Sequence, residues 1–290
     1  MQFAYPSQRF QDWVSQGWCI ATGRRIDPGE IPWLMGPFGN VDVIEDRYVA
    51  GIAQAEGLTL VKNRPGSGII NSMDALALPH EARARLLPEV SDFYEHTSDY
   101  EFEVWTQWCQ FYRPFAGLLT RLYCKRLQQL NLPLSPLDTS RGIQSQIYQL
   151  VDPATLEVRH TVWYRHLKST QEVIYSGVYG HCLIPDGRTC LKVVFPLPRG
   201  NATVVMSIEV GDDGSLSLVS RGKSFGDPGF YFLLSDAKGR HYARYLPSLH
   251  ETIKVFKDDE GVLRADHVLN LCQSKALHLH YRINPSRPRH

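Results

Sequence analysis

The feature that most constrains this chain is a change of hydrophobic period at residues 133–142, PLSPLDTSRG. Before this joint, apolar residues recur mostly at helical spacing. After it they alternate with polar ones, as in strands that show successive side chains to opposite faces. Candidate strands are 143–151, 157–167, 172–184, 189–195, 202–210, 215–221, 230–235, 240–256 (broken by Pro247), 262–272 and 276–283. Turn chemistry separates them, at Asp152-Pro153, Asp186-Gly187, Arg199-Gly200-Asn201, Asp212-Asp213-Gly214, Gly226-Asp227-Pro228-Gly229, Lys238-Gly239 and Glu260-Gly261. Ten short strands joined by tight turns predict a meandering antiparallel sheet, and a sheet of that width avoids exposed edges by curling or closing. The expected class is therefore α+β: a helical N-terminal region packed on a C-terminal antiparallel, barrel-like or strongly curled β-sheet. With no C-terminal helix in the pattern, a helix-grip, START-type fold is disfavoured.

The corresponding division is a mainly helical region over 1–133, an antiparallel β domain over 134–284 and a mobile tail over 285–290. Within the first, Ser7 would cap a short helix that buries Phe10, Trp13 and Val14 and stops at Gly17. Residues 19–40 read as an irregular packed loop. Asp42 with Glu45 forms a capping-box pattern, and Gly57 marks the end of that helix. LTLVKN, within 58–74, is a lone candidate strand. Residues 80–98 read as helix with a break at Pro88, and Trp105, Trp108, Cys109 and Tyr112 recur at i, i+3, i+4, i+7. Pro114 should end or kink that helix, and Phe115, Leu119, Leu122, Tyr123, Leu127 and Leu130 form a further apolar face.

Composition excludes several classes. The chain has 290 residues, 43% hydrophobic and 21% charged, which is globular rather than disordered, collagen-like or coiled-coil. The net charge of +1 gives no strong field favouring nucleic acid or an anionic membrane, although the balance is −4 over residues 1–140 and +5 over 141–290. The N-terminus lacks the pattern of a secretory leader, and no run approaches the roughly 18 apolar residues of a membrane span. A cytoplasmic protein with no membrane insertion is expected. The six cysteines form no C-x-x-C and read as small buried hydrophobes. Cys182 and Cys190 lie symmetrically about Asp186 in CLIPDGRTC, as partners across a hairpin would. No P-loop, dinucleotide fingerprint, nucleophile elbow or H-E-x-x-H occurs, so no cofactor is called for.

Three constellations could carry chemistry. Nine of the eleven histidines follow residue 140, and the densest group is Asp266-His267, His278 and His280. On a strand His278 and His280 share a face, and a hairpin would bring His267 near them, suiting acid–base work with Asp266 as orienter, or a metal. Parity sets Asp266 and His267 on opposite faces, against a single site. Arginines flank tight turns at Arg141, Arg199 and Arg221, and lie in strands at Arg244 and Arg282. Arg199, Arg221, Arg244 and Arg282, with Tyr242 and Tyr245, are the candidate binders of an anionic group. The β region is also rich in tyrosine and phenylalanine, which fill a core or line a pocket.

The stretches LNLPLSPLDTSRG (130–142), LKVVFPLPRGNATV (191–204), GDPGFY (226–231) and GVLRADHVL (261–269) resemble those of a group of bacterial proteins of unassigned function. The resemblance covers most of the chain and implies no activity. The leading expectation is a binder of a small apolar or aromatic molecule with an anionic group. The alternative is a cofactor-independent isomerase, cyclase or hydrolase in the same pocket. A third reading is a scaffold protein presenting the aromatic segment 101–130 to a partner, which an exposed Trp105/Trp108 face would favour.

Overall fold

A computed structural model describes residues 9–39 and 43–286. Ser7, Asp42 and the tail residues 287–290 lie outside these. The early elements are α1 (Phe10–Thr22), β1 (Arg24–Ile26), α2 (Arg47–Glu56), β2 (Thr59–Lys62), α3 (His80–Arg85), α4 (Pro88–Glu95), β3 (Tyr100–Trp108) and α5 (Arg113–Leu119). The helix of α5 widens into a π turn over Thr120–Cys124 and ends at Leu127. Then come β4 (Ile143–Val151), β5 (Val158–Leu167), β6 (Val173–Leu183), β7 (Thr189–Leu197), β8 (Gly200–Val210), β9 (Leu216–Val219) and β10 (Gly229–Ser235). The last strands are β11 (His241–Leu246), β12 (Leu249–Lys257), β13 (Leu263–Leu271) and β14 (Ser274–Pro285).

Ten of these strands, β3 to β9 and β12 to β14, close into an antiparallel barrel. Closure depends on β8, which changes partner along its length. Gly200–Val205 pairs with β10, and Ser207–Val210 pairs with β9. The first half thereby carries a side sheet of β10, β11 and β1. The second half leads through β9 to β12, β13, β14 and β3. The final junction, β3 to β4, rests on the single pair Phe102–Ile143, because the far end of β4 is occupied by β2.

The molecule is mostly β, and the helical N-terminal region is a looser description of it than the sequence suggested. The main correction is β3. The spacing of Trp105, Trp108 and Tyr112 reads as helix, but YEFEVWTQW forms a barrel stave with Phe102, Val104 and Thr106 buried and Glu101, Glu103, Trp105 and Gln107 exposed. Strict alternation decides the element. Helix α1 is a second correction, since it passes Gly17 and buries Asp12, Gln16 and Cys19 rather than Phe10 and Val14. Elsewhere the punctuation acts as read: Gly57 ends α2 at φ +67°, Pro88 opens α4, and the strand broken at Pro247 becomes β11 and β12. Cys182 and Cys190 are direct partners across β6–β7, both buried as free thiols.

Inside the barrel, Ile147, Leu191, Met206 and Leu216 are essentially inaccessible. Ile69, Met73, Val90, Phe93 and Tyr94, from the segment before β3, pack into the same cluster. Full burial of each aliphatic side chain is worth roughly 1.5–3 kcal/mol. The outer face is covered too: Tyr48 and Val49 of α2 pack on Leu150, Val162, Val178 and Val194. Trp33 and Leu34 pack on Tyr231, Ala243 and Tyr245 of the side sheet. Strands covered on both faces need apolar side chains at consecutive positions, which is why β6 and β7 read as near-continuous apolar runs.

The crossing of β8 with β10 leaves no room at Gly200, where an added Cβ would lie 2.1 Å from the Leu233 carbonyl oxygen. Gly200→Ala should therefore lower unfolding free energy by about 1–3 kcal/mol in urea titrations. Gly180→Ala, with nothing within 4 Å of the added carbon, should leave it unchanged or raise it.

Candidate functional site

Inward parity assembles a polar group within the apolar barrel. On β5, Trp163, Arg165 and Leu167 share the inner face, and on β12 Glu251 shares it with Ile253 and Val255. β13 contributes Ala265 and His267, β14 contributes Tyr281, and β6 contributes Tyr175 and Tyr179. The β5–β6 register shifts between Arg165 and His166, so Arg165 sits at an irregularity directly opposite Tyr175. These residues line a cavity of about 70 Å³ whose remaining walls are aliphatic and aromatic, among them Phe102, Val193 and Phe195.

Arg165, Glu251 and His267 are each 8% exposed. His267 Nε2 meets the Glu251 carboxylate, its diagonal neighbour across β12–β13. The guanidinium carbon of Arg165 lies 3.9 Å from the centre of the Trp163 ring and 4.6 Å from that of Tyr175, in range for cation–π attraction. Its Nε is buried without a hydrogen-bond partner, and among the described residues no carboxylate oxygen comes within 4.0 Å of the guanidinium. Burial pushes the hydroxyl of Tyr179 up to about 12 and that of Tyr175 well above its ordinary range. Tyr281 is also raised by burial, with Arg165 pulling against it. All three hydroxyls stay protonated at neutral pH. The cavity thus presents one cation hydrogen-bonded to Tyr281 but without a carboxylate in ion-pair contact, one carboxylate–imidazole pair and three phenols able to donate hydrogen bonds.

The predicted histidine group divides between the two faces of the sheet. His267 points inward, while Asp266, His278 and His280 meet outside. Asp266 Oδ1 lies 2.8 Å from His278 Nε2 and 2.8 Å from His280 Nδ1. Burial alone would raise the Asp266 carboxyl, but the hydrogen bonds to His280 and His278 outweigh it and hold the group below its ordinary value. Arg264 Nη1 approaches His280 Nε2 at 3.4 Å, and the Trp105 ring is 5.9 Å from that of His280. One carboxylate oxygen and two imidazole nitrogens within 4.8 Å of one another form a set able to hold a divalent metal.

Of the candidate anion binders, none lines the cavity. Arg199 precedes β8 at φ +58°, and its N–H bonds the Gly39 carbonyl. Arg221 is exposed beyond β9. Arg244 donates to the Thr22 carbonyl at 2.8 Å, and Arg282 lies on the outer face of β14 across from Arg264 and Glu103. Tyr242 packs near α1, and the Tyr245 ring lies 5.0 Å from that of Tyr231, tilted by 46°, in the side sheet. Sequence reasoning missed Arg165 and Glu251. The available signal was a charge on an otherwise apolar parity, in W-x-R-x-L and E-x-I-x-V. Of the two tryptophans on β3, Trp105 is exposed and Trp108 donates to the Pro133 carbonyl at 2.7 Å.

No family model and no solved structure matches the chain. Its sequence is 26% identical over 269 residues to the uncharacterized membrane protein YndJ of Bacillus subtilis (strain 168). The match covers 92% of this chain and 46% of that relative, so the chain spans about half of its length. This agrees with the resemblance to bacterial proteins of unassigned function. Among the described residues no helix is long and apolar enough to cross a membrane.

The Glu251–His267 pair should be energetically coupled. A double-mutant cycle of Glu251→Gln and His267→Gln, followed by urea unfolding at neutral pH, is expected to give a coupling energy on the order of 1–3 kcal/mol. A coupling under about 0.3 kcal/mol would mean that the two side chains stabilise the barrel independently.

Proposed function

We propose that the barrel interior binds a small molecule with an anionic group, held by Arg165. The observation that carries this reading is a buried guanidinium, stacked between aromatic rings, with its Nε unpartnered and an open cavity beside it. A cation taken out of water without an anion costs several kcal/mol, which a ligand carboxylate or phosphate would offset. The apolar walls take the rest of the ligand, and the tyrosine hydroxyls orient it. The cavity of about 70 Å³ fits a ligand of few heavy atoms, since an engineered cavity of about 150 Å³ holds benzene.

The Glu251–His267 pair favours a second reading, catalysis in the same space. A carboxylate that fixes an imidazole ring is the arrangement used for general acid–base chemistry. His267 would move the proton, Glu251 would orient it, and Arg165 would hold the charged end of the substrate.

The test is a thermal-shift screen of the purified chain against small carboxylates and phosphate esters, with native mass spectrometry for retained ligand. A ligand at about 100 times its Kd stabilises by about 2.7 kcal/mol, a shift of several degrees. Arg165→Met should abolish the shift, and Arg244→Met should preserve it. Equal binding by Arg165→Met would overturn the reading. Catalysis additionally requires that His267→Gln remove turnover of a bound compound while leaving its affinity within a few-fold.

A further inference from the structure

Helix α1 is amphipathic the wrong way round for a protein-packed helix. It buries Asp12, Gln16 and Cys19 and turns Phe10, Val14 and Trp18 to solvent, at i, i+4 and i+8. The buried face is held by polar contacts, Asp12 pairing with Arg126 and Gln16 donating to the Pro198 carbonyl, and by Cys19 packing on Leu234 with Phe232 and Tyr242. The helix beginning at α5 repeats the pattern. Phe115, Leu118, Leu119 and Leu122 form an exposed i, i+3, i+4, i+7 face, and Phe111 just before it is 81% exposed. The two helices touch where Tyr123 donates to the Gln11 carbonyl and Arg126 meets Asp12. Each helix thus carries an exposed apolar face, and the two helices are joined at these polar contacts.

The charge carried by the second helix itself has one sign. Residues 109–137 contain Arg113, Arg121, Lys125 and Arg126 and no acidic residue. Lys125 and Arg126 are paired with Glu172 and Asp12, whereas Arg113 and Arg121 are exposed and carry no ion pair among the described residues. Phenylalanine, tryptophan and leucine on one face with arginine at its border are what a helix needs to lie in a headgroup layer: the apolar side chains enter the acyl boundary and the guanidinium groups meet lipid phosphates.

We propose that the exposed faces of α1 and of the helix from Arg113 to Leu127 dock the protein on the surface of an anionic bilayer, lying on the membrane without spanning it. A partner protein or a second copy is the competing occupant, and neither accounts for unpaired arginines at the rim as directly as phosphate does.

The test is co-sedimentation of the full 290-residue chain with vesicles of phosphatidylcholine containing about 30% phosphatidylserine, and with phosphatidylcholine alone. Binding should be at least tenfold stronger to the anionic vesicles, and should weaken between about 0.1 and 0.5 M salt. Phe115→Ser with Leu118→Ser should reduce binding at least tenfold. Arg113→Glu with Arg121→Glu should remove the preference for anionic vesicles. These side chains are exposed, so circular dichroism and the thermal midpoint should match the parent, and Phe10→Ser with Val14→Ser supplies an independent variant on α1. Absence of vesicle binding, equal binding to both compositions, or unchanged binding by the variants would overturn the proposal. A dimer that the serine variants convert to monomer, without vesicle binding, would assign the surface to a second copy instead.

Discussion

The divided hydrogen bonding of β8 governs the rest of the structure. If β8 paired with β10 along its whole length, the sheet would run on as an open, twisted surface with β9 and β12 as edges. Changing partner near Met206 turns the second half of the strand toward β9 and closes the ring, while the first half still supports the side sheet. Closure satisfies stave edges that would otherwise be open to pairing with other chains. It also gives each stave a defined inner face, so that a polar side chain of inward parity must find a partner inside the barrel.

That requirement explains the character of the interior. Glu251 and His267 face each other and satisfy one another. Arg165 is compensated by ring faces and by a hydrogen bond to the Tyr281 hydroxyl, which leave its Nε without a partner. A low-dielectric enclosure strengthens what a bound anion would gain from such a group, relative to the same contact on the surface. The outer cluster of Asp266, His278 and His280 stands in partial contact with water, where the same charges interact more weakly. The sheet therefore separates two imidazole environments that adjoin in sequence.

Strand positions were legible because turns announce themselves chemically and alternation survives in half-wet strands. β3 was misread because aromatic residues at positions 105, 108 and 112 mimic a helical face, although the glutamates at 101 and 103 mark alternation. The sharing of a face by His278 and His280 followed from parity, as did the separation of Asp266 from His267. Which face was the interior could not be read, since α2 and the loop bearing Trp33 bury much of the outside and make both parities apolar. Arg165 was hidden for that reason: TVWYRHL shows its inner parity only once closure is known. The apolar residues of α1 were read as core because periodicity identifies a face without saying which side it meets.

The junction between β3 and β4 has a mechanical meaning. Neighbouring staves elsewhere in the ring share four or more residue pairs, whereas these two share Phe102–Ile143 alone. Each ladder hydrogen bond adds on the order of 1 kcal/mol to the cost of parting two strands. Parting the ring there breaks the fewest strand pairs, and Phe102 stands in the wall of the cavity at that point. A slit along this seam would be the least costly way to reach the interior, requiring one aromatic ring to move while the longer ladders of the cylinder stayed paired.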